Sequence, residues 1–436
     1  MKIAVVGTGY VGLVSAACLA DLGHTVTAVD IDAAKIEKLQ KGICPIYEPE
    51  LPELLAQGLA NRRLRFTTEV REALPETSIV FCAVATPPNV DASADLRAVF
   101  SVCEAVAQHT NHDLVFVNKS TVPVGTGREC ERRIAATQEQ RLTRYHLPVI
   151  SNPEFLREGS AVRDTLQPDR IIVGINGDEW ARELMEELYN PLTRIGKPLL
   201  FMSRESAEIV KYASNAFLAT KISFINMLTE LCEKTGANIR DIAAGLGLDD
   251  RIGPRFLHAG IGFGGSCLPK DIAALMALSR EQGIPLPIVD AVHEINQRQR
   301  RRFFQKLLSV LPPHATVAVW GLSFKPRTDD MREAPSLELI PLLLQEGHSV
   351  QAYDPAAIEN ARKLLPSGVA FTQDPIAAAN GADAVILLTE WDVFRGIDFA
   401  TLRNTMRGTH LFDGRNIYEP EEVRRAGLTY YGIGVV

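Results

Sequence analysis

The feature that most constrains the fold is the glycine pattern Gly7-x-Gly9-x-x-Gly12, which follows a short apolar run at residues 2–6. In such a pattern the first glycine permits a tight turn, and the second lets the backbone approach a pyrophosphate. The third lets the following helix pack closely on the strand. Apolar residues at helical spacing occupy positions 10–22, so the context predicts a strand, a turn and a helix that together bind a dinucleotide.

The next apolar run, residues 25–29, ends at Asp30. A carboxylate at the end of this second strand, about 20 residues past the glycines, accepts hydrogen bonds from ribose hydroxyls. It would repel the 2′-phosphate of NADP, so the pattern favours NAD as cofactor. Lys35 lies close enough in sequence to reach the adenosine ribose or a phosphate.

Short apolar runs alternate with helical patterns as far as about residue 200. Further strand candidates are residues 78–84, 114–117, 148–151 and 170–174. Strands that are apolar throughout and separated by helices predict a parallel sheet covered on both faces. We therefore predict an N-terminal NAD-binding domain over residues 1–200.

The pattern changes to long helices over residues 201–311, with helices predicted at 203–236, 239–245, 272–282 and 287–310. This central region is predicted to carry a subunit interface, although a spacer would look similar. After Pro312-Pro313 the strand–helix alternation resumes, which predicts a smaller C-terminal domain over residues 312–436. The predicted fold class is thus α/β, with two doubly wound Rossmann-like domains joined by a long-helix region.

Composition excludes several classes of partner. The chain of 436 residues has a net charge of −7, so it offers no general attraction to nucleic acid or anionic membranes. We interpret the basic cluster at 300–302 as a solvated helix face. The 7 cysteines are scattered, which argues against disulfides and a zinc site. No apolar run approaches membrane length and no leader is apparent, so we expect a cytoplasmic protein with no metal.

Cys267 lies in the glycine-rich segment 262–271, followed at once by a predicted helix start at Pro269 and by Lys270 and Asp271. A nucleophilic cysteine must be a thiolate, and a nearby cation or helix N-terminus lowers the thiol pKa from about 8.5. Together with a hydride-accepting nucleotide, such a thiolate could carry an alcohol past the aldehyde to an acid. The alternative is an inert loop cysteine.

Three further clusters carry polar chemistry. Lys211 and Asn215 lie one helical turn apart and could hold an alkoxide or a carbonyl oxygen, unless Lys211 is a solvated surface charge. Glu154 and Glu158 have spacing four and would share a face if their segment is a helical turn. The segment 119–126 follows a strand and carries hydroxyls, including Thr121, where a parallel sheet forms its ligand crevice. A charged helix start and a simple turn are the competing interpretations of the last two.

The C-terminal domain begins similarly, with a strand leading into Gly321, but it lacks the second and third glycines. It is therefore not predicted to be a second dinucleotide site. Lys325, Arg327 and Arg332 could bind phosphates through their side chains, although a solvated loop is equally consistent with the pattern.

In combination these segments resemble the UDP-glucose/GDP-mannose dehydrogenase family over essentially the whole chain. The motifs that carry the resemblance are GTGYVG at 7–12, STVPVGT at 120–126, NPEFLREG at 152–159, KYASNAF at 211–217, FGGSCLPKD at 263–271 and FKPRTDDMRE at 324–333. PDRIIVG at 168–174 and the segment 251–266 look like the branch of the family that acts on UDP-glucose.

The resemblance implies a four-electron oxidation of UDP-glucose to UDP-glucuronate at one site, with two NAD used in turn. Lys211 and Asn215 would stabilise the oxygen at C6, while Asp271 and a water held by Thr121 would take the proton. Cys267 would form a thiohemiacetal and then a thioester, and Glu154 with Asp271 would assist hydrolysis.

The resemblance also implies two sets of binding residues and at least a homodimer, because Arg251 would reach the substrate of a neighbouring subunit. The implied NAD-binding residues are Gly7, Gly9, Tyr10, Val11, Gly12, Asp30, Lys35, Thr86, Thr121, Glu158, Lys270 and Arg332. The implied substrate-binding residues are Glu154, Phe155, Leu156, Arg157, Glu158, Lys211, Asn215, Arg251, Phe256, Phe263, Gly264, Lys325 and Arg415.

Three alternatives remain open at this point. A GDP-mannose 6-dehydrogenase would use the same chemistry on a different base and hexose. A single-step hydroxyacid dehydrogenase would use Lys211 and Asn215 and leave Cys267 idle. An NAD-binding sensor would turn over no sugar nucleotide.

Overall fold

The computed structural model describes residues 1–435, which fold into two compact units, Met1–Ala213 and Ser214–Val436. Each unit contains one β-sheet together with α-helices. The boundary falls inside one long helix, α9 (Arg204–Thr235), so that Lys211 belongs to the first unit and Asn215 to the second.

The first unit contains an eight-stranded sheet with the strand order β3-β2-β1-β4-β5-β6-β7-β8. Neighbouring strands are parallel except β6 and β7, which pair antiparallel. The strands are β1 (Lys2–Val6), β2 (Thr25–Val29), β3 (Leu64–Thr67), β4 (Ile79–Cys82), β5 (Val115–Asn118), β6 (Val149–Ser151), β7 (Ile171–Gly174) and β8 (Leu199–Met202). The helices are α1 (Tyr10–Asp21), α2 (Ala33–Gln40), α3 (Leu51–Ala60), α4 (Val70–Ala73), α5 (Arg97–His109), α6 (Thr126–Gln140), α7 (Ala161–Leu166) and α8 (Glu179–Thr193).

The central strands of this sheet are buried on both faces, which is why they are apolar without alternation. All four residues of β4 and of β5 are buried. One apolar cluster on this sheet includes Leu13 and Phe81, and a second includes Val80 and Phe116. Successive strand residues point to opposite faces, so Val80 and Phe81 contribute to different clusters.

The second unit contains helices followed by a six-stranded parallel sheet with the order β11-β10-β9-β12-β13-β14. After the end of α9 come α10 (Ile239–Gly247), α11 (Leu268–Gln282) and α12 (Pro287–Leu308). The strands are β9 (Thr316–Trp320), β10 (Ser349–Tyr353), β11 (Val369–Phe371), β12 (Ala384–Leu387), β13 (His410–Asp413) and β14 (Thr429–Tyr431). The remaining helices are α13 (Pro335–Gln345), α14 (Ile358–Leu364), α15 (Pro375–Ala379), α16 (Asp392–Arg395), α17 (Phe399–Thr405) and α18 (Pro420–Arg425).

The predicted fold class is confirmed, with the differences concentrated at sheet edges and helix starts. The outermost strands β3, β8, β11 and β14 were not predicted, because each is short and only partly buried. Helix α11 begins at Leu268, one residue before the helix start predicted at Pro269 and four residues before the helical pattern predicted at 272–282, with Cys267 as its N-cap and a proline in its first turn. Proline is favoured there because it needs no amide hydrogen bond.

The interpretation of residues 300–302 as a solvated helix face is wrong for Arg300. This side chain is buried, and its guanidinium donates to the carbonyl oxygens of Phe263 at 2.6 Å and Glu333 at 2.8 Å. A basic residue can satisfy buried backbone carbonyls, an option that charge patterning alone does not reveal.

Five of the 7 cysteines are buried, and only Cys44 and Cys267 are partly exposed. Within residues 1–435, every helix is too short or too polar to cross a membrane. The same residues contain no group of three His, Cys, Asp or Glu side chains arranged to hold a metal ion.

Candidate active site

The nucleotide fingerprint has the geometry that its glycines predict. Gly9 is the N-cap of α1, and a β-carbon on Gly12 would lie 1.9 Å from the carbonyl oxygen of Gly7, so helix and strand could not pack as they do with any larger residue. Tyr10 and Val11 form the first turn of α1. That turn contains no acidic residue, and its cap has no side chain to bond the amides. The helix N-terminus therefore fits an anionic pyrophosphate.

Asp30 ends the second strand and lies beside this loop. Its carboxylate accepts from the Thr8 amide at 2.9 Å, the Thr8 hydroxyl at 2.7 Å and the Lys35 ammonium at 2.9 Å. Burial pushes the pKa of Asp30 upward, but the hydrogen bonds from Lys35 and Thr8 outweigh it, and the net pKa is lowered. Asp30 is thus an anion at the carboxyl end of β2, where a ribose is expected.

The expected consequence is a test of cofactor choice. Asp30→Ala should raise the KM for NAD by roughly 10- to 100-fold, since hydrogen bonds to charged groups contribute about 1.5–3 kcal/mol. It should also relax discrimination against NADP, because Lys35 would lose its carboxylate partner. Steady-state kinetics with both cofactors measures this. Asp32→Ala is the matched control, since it removes only the N-cap of α2; unchanged affinities in Asp30→Ala would refute the ribose contact.

Lys211 and Glu154 form a buried ion pair in the first unit. Lys211 Nζ lies 2.8 Å from Glu154 Oε1, and only 4% and 7% of the two side chains is exposed. Burial pushes the pKa of Glu154 upward, but the charge and hydrogen bond of Lys211 hold it below its usual value. A surface lysine is therefore the wrong interpretation of Lys211. Such a pair places a carboxylate and an ammonium together in a site that excludes bulk water.

Lys119 is a further cation of this cluster, which the sequence interpretation did not assign to the site. Its ammonium donates to Asn152 Oδ1 at 3.2 Å, and Asn152 Oδ1 also accepts from the Tyr189 hydroxyl at 2.5 Å. Burial, with the positive charge of Lys211, lowers the pKa of Lys119 to about 8, against the opposing effect of Glu154. Its place at the end of β5, first in a run of strand-end polar residues, was the available signal.

Thr121 and Thr86 lie on neighbouring strand-end loops and are joined directly. The Thr86 hydroxyl donates to the Thr121 carbonyl oxygen at 2.9 Å. Below them, the buried Glu208 carboxylate accepts from the amides of Gly125 at 2.7 Å and Gly127 at 2.9 Å. Burial raises the pKa of Glu208 while these amides lower it, and the net direction is up. Glu208 thus anchors the Thr121 loop to α9.

The segment containing Glu154 and Glu158 is an irregular loop and not the helical turn that a shared face would require. The two acids therefore do not share a helix face. Glu158 is buried near the end of that loop. The following amide, Gly159, donates to the buried Glu48 carboxylate at 2.6 Å, which also accepts from Tyr10. Burial and this contact raise the pKa of Tyr10. Glu48, another residue that sequence did not assign, therefore joins the fingerprint to the Glu158 loop.

The remaining predicted residues of this loop differ in exposure. The Phe155 ring lies under the Arg170 guanidinium, 3.7 Å from ring centroid to Cζ, and 5.5 Å from Lys211 Nζ. Leu156 is partly buried, and its amide donates to Glu154 Oε2 at 2.8 Å. Arg157 is exposed and paired with Asp164 at 2.7 Å. Phe155 and Leu156 thus border the buried pair, while Arg157 points to solvent.

In the second unit Cys267 is the partly exposed N-cap of α11. One turn later, the Asp271 carboxylate is buried and accepts from Asn215 Nδ2 at 2.6 Å. The Lys270 ammonium lies 3.4 Å from the other oxygen of Asp271. At the helix end that carries Cys267, Asp271 thus contacts both Lys270 of its own motif and Asn215 of a separate one.

Phe263 and Gly264 lie in the loop that leads to Cys267, and both are buried. A β-carbon on Gly264 would lie 2.1 Å from the Glu333 carbonyl oxygen, so no other residue fits there. Gly265 donates its amide to the Arg332 carbonyl oxygen at 2.9 Å. The loop is therefore packed against the segment 324–333 of the same unit.

Three cations of the second unit that were predicted to bind either NAD or the substrate are held by neighbouring groups. Lys325 lies over the Phe324 ring at 5.5 Å, and Arg332 is paired with Asp330 at 2.7 Å. Arg415 is partly buried and donates to the carbonyl oxygens of Gly262 and Phe324, at 3.0 and 3.1 Å.

Three other arginine and phenylalanine positions lie nearer the surface. Arg327 is paired with the exposed Asp392 at 3.2 Å, and Arg251 with Asp249 at 2.6 Å. Phe256 is partly buried, with a positive φ of 67°. A contact between any of these three side chains and a ligand stays a prediction.

The loop after β9 lies at the same place in its sheet as the fingerprint lies in the first sheet, but a carboxylate of the same unit bonds its backbone amides. The buried Asp354, at the end of β10, accepts from the amides of Leu322 at 2.7 Å and Ser323 at 3.0 Å. Asp354 occupies the place in this sheet that Asp30 occupies in the first. Backbone amides that could cradle a phosphate are thereby already bonded.

Three family models match consecutive parts of the chain. They describe the NAD binding domain, the central domain and the UDP binding domain of the UDP-glucose/GDP-mannose dehydrogenase family, over residues 1–193, 205–298 and 318–420. The chain belongs to the UDP-glucose/GDP-mannose dehydrogenase family. It is accordingly an NAD-dependent dehydrogenase, and the resemblance inferred from its motifs is confirmed.

Individual relatives of the family are similar over full length. A UDP-glucose 6-dehydrogenase of Rhizobium meliloti is 46% identical over 100% of this chain and 99% of its own. The solved structure of a UDP-glucose dehydrogenase from Pyrobaculum islandicum is 39% identical, covers 100% of this chain and 98% of its own, and has a TM-score of 0.90. A UDP-D-ManNAc dehydrogenase from Pyrococcus horikoshii is 27% identical, with coverage of 100% and 99% and a TM-score of 0.85.

Proposed function

We propose that this chain oxidises UDP-glucose to UDP-glucuronate, using two NAD in turn and a covalent intermediate on Cys267. The observation that carries the proposal is the group at the start of α11, where Cys267 caps the helix and Asp271 binds Asn215 at 2.6 Å. It is supported by full-length similarity to a protein named UDP-glucose 6-dehydrogenase.

In the first oxidation the alcohol at C6 loses a hydride and a proton. NAD, bound at the fingerprint, supplies the hydride acceptor for both oxidations. Lys211 and Asn215 donate to the C6 oxygen and stabilise the charge that develops on it. Asp271, with a water held by Thr121, accepts the proton. The product of this step is an aldehyde.

In the second oxidation the Cys267 thiolate adds to the aldehyde carbon and forms a C–S bond. The resulting tetrahedral thiohemiacetal again bears a hydride that can leave, and its loss gives a thioester. Water, activated by Glu154 and Asp271, then attacks the thioester and releases Cys267 as thiolate. The balance is one alcohol, two NAD and one water giving one carboxylate, two NADH and three protons.

Binding roles follow the same assignment. Tyr10, Val11, Asp30, Lys35, Thr86, Glu158, Lys270 and Arg332 contact NAD with the three fingerprint glycines. Phe155, Leu156, Arg157, Phe256, Phe263, Gly264, Lys325 and Arg415 contact the sugar nucleotide. We propose functional regions at 1–200 for NAD, 201–311 for assembly and 312–436 for the UDP-sugar, and a cytoplasmic location, which unpaired thiols favour.

The decisive experiment is NADH stoichiometry with a limiting sugar nucleotide. UDP-glucose should give two NADH per sugar, while a single-step hydroxyacid dehydrogenase would give one and an NAD sensor none. GDP-mannose and UDP-N-acetylmannosamine are the parallel substrates, since the family includes enzymes for both kinds of sugar. Faster turnover of either one would contradict the proposed substrate while leaving the mechanism intact.

We also propose a homodimer formed through α9. Four apolar residues of this helix within the second unit are exposed: Phe217 at 67%, Phe224 at 46%, Met227 at 41% and Leu231 at 59%. Phe217, Phe224 and Leu231 follow one another at intervals of seven, so they lie along one helix face. A second copy of the chain would cover this exposed apolar face.

Phe224→Asp should convert the dimer to a monomer, because it places a charge in the centre of the apolar face. Sedimentation velocity measures the mass. Leu364→Asp is the matched control, since Leu364 is 58% exposed on α14 of the same unit and should leave the dimer intact. A wild-type chain that sediments as a monomer would contradict the proposal, as would a dimeric Phe224→Asp.

A further inference from the structure

The loop that delivers Cys267 has no regular secondary structure, yet its backbone is bonded almost residue by residue to surrounding side chains of the second unit. Gly260 donates to Asn226 Oδ1 at 2.9 Å and accepts from Gln299 Nε2 at 3.0 Å. The Gly262 carbonyl oxygen accepts from Arg415 at 3.0 Å. Buried amides and carbonyls need partners, and here side chains supply what a strand neighbour would otherwise supply.

Phe263, four residues before the nucleophile, is bonded by one side chain at both its amide and its carbonyl oxygen. The side-chain amide of Asn296 accepts from the Phe263 amide at 2.9 Å and donates to the Phe263 carbonyl oxygen at 3.0 Å. Two antiparallel hydrogen bonds to one planar amide fix the orientation of that stretch of backbone as well as its position. Asn296 is itself buried on α12, so its amide is held in turn by packing.

Arg300, one turn further along α12, holds the same carbonyl from a second direction. Its guanidinium donates to the Phe263 oxygen at 2.6 Å, to the Glu333 oxygen at 2.8 Å and to the Glu338 carboxylate. The loop is therefore tied both to α12 and to the segment against which Gly264 packs. The planar fork of arginine makes this threefold contact possible.

We infer that Asn296 and Arg300 are positioning residues that set the orientation of Cys267 for attack on the aldehyde. Between the Phe263 clamp and the first turn of α11, only Gly264, Gly265 and Ser266 separate the fixed backbone from the nucleophile. This role presupposes the proposed function, since it concerns aldehyde capture. The first hydride transfer does not use Cys267, so a variant with a misplaced thiolate can still yield one NADH per sugar.

A misplaced thiolate loses the competition between capture and escape. Displacing a reacting group by about 1 Å costs on the order of 100-fold in rate, which is enough for the aldehyde to leave before the C–S bond forms. The ratio of NADH to sugar in the presence of semicarbazide, which traps released aldehyde, reports this competition. The ratio is independent of how much of a variant is folded, so a loss of stability alone would not move it.

The experiment compares the wild-type chain with Asn296→Ala and Arg300→Met, using limiting UDP-glucose, excess NAD and semicarbazide. Wild type should give two NADH per sugar, and both variants should fall toward one. Arg302→Met is the matched control, because Arg302 is an arginine of the same helix bonded to Thr229 and Glu233 and not to the loop. It should give two.

Two NADH per sugar in Asn296→Ala and Arg300→Met would overturn the positioning role. If neither variant folds, Arg300→Lys keeps the charge beside Glu338 but lacks the second nitrogen, with which the guanidinium bonds the two carbonyl oxygens while its first nitrogen bonds the carboxylate, so its ratio should still fall below two. An unchanged ratio in that variant would also overturn the role. One NADH per sugar in the wild-type chain would instead overturn the proposed function, and the positioning role with it.

Discussion

Cys267→Ala should abolish acid formation and reduce the yield from two NADH per UDP-glucose to at most one. Without sulfur there is no thiohemiacetal, so the aldehyde has no suitably held hydride for a second transfer. The first oxidation should survive, because Lys211, Asn215 and Asp271 remain. The measurement is NADH absorbance at the end point, with the product identified by anion-exchange chromatography.

Cys44→Ala is the matched control for this result. Cys44 is the other partly exposed thiol, and its sulfur contacts the carbonyl oxygen of Ile46 at 3.2 Å. Replacing Cys44 should leave the yield at two NADH per UDP-glucose. A full yield of two in Cys267→Ala would eliminate the covalent mechanism, whereas a reduced yield in Cys44→Ala would assign the effect to general thiol loss.

Lys211→Ala should slow turnover by on the order of 10² to 10⁴, because it removes a buried donor aimed at developing negative charge. It should also shift the pH dependence. Lys211 holds the pKa of Glu154 below its usual value against burial, so without it Glu154 should take up a proton at higher pH. As the pH is lowered, the variant should therefore lose the activity that needs the Glu154 carboxylate at a higher pH than the wild-type chain does.

The pH profile of kcat in wild type and variant measures both effects. Lys234→Ala, on the same helix and paired with Glu230 at 3.0 Å on the surface, is the control and should change neither. A loss below threefold in Lys211→Ala, or an unmoved acid limb, would mean that the buried pair has only a structural role.

The sequence predicted most of this architecture because buried strands and long helices leave strong periodic signals. Val115 and Phe116 of β5 are fully buried and were identified as strand residues directly. Edge strands such as β8 were missed because they are short and only partly buried. The helical pattern at 272–282 placed α11 too late, although Pro269 was identified as a helix start; the helix begins at Leu268, with Cys267 at its N-cap position.

Residue type and sequence position were enough to single out Cys267 and Asp30 as candidates, whereas Glu154 was singled out by a helical spacing that its loop does not have. The candidate site was not predictable where an ordinary residue gains its role from distant partners. Glu48 acts through amides at 159 and 161, more than 100 residues away. Likewise Asn296 satisfies Phe263 across 33 residues, a contact that no local spacing reveals.

The distribution of thiols has a practical consequence for oxidative damage. Burial raises the pKa of Cys18 and Cys82 to about 12, and Cys103, Cys130 and Cys232 are equally enclosed, so peroxide finds few reactive sulfurs. Sulfinic acid formed at Cys267 would not be reversed by ordinary reductants. An ageing preparation should therefore lose turnover while keeping its melting temperature, and a reducing agent in storage buffer would preserve catalysis, not the fold.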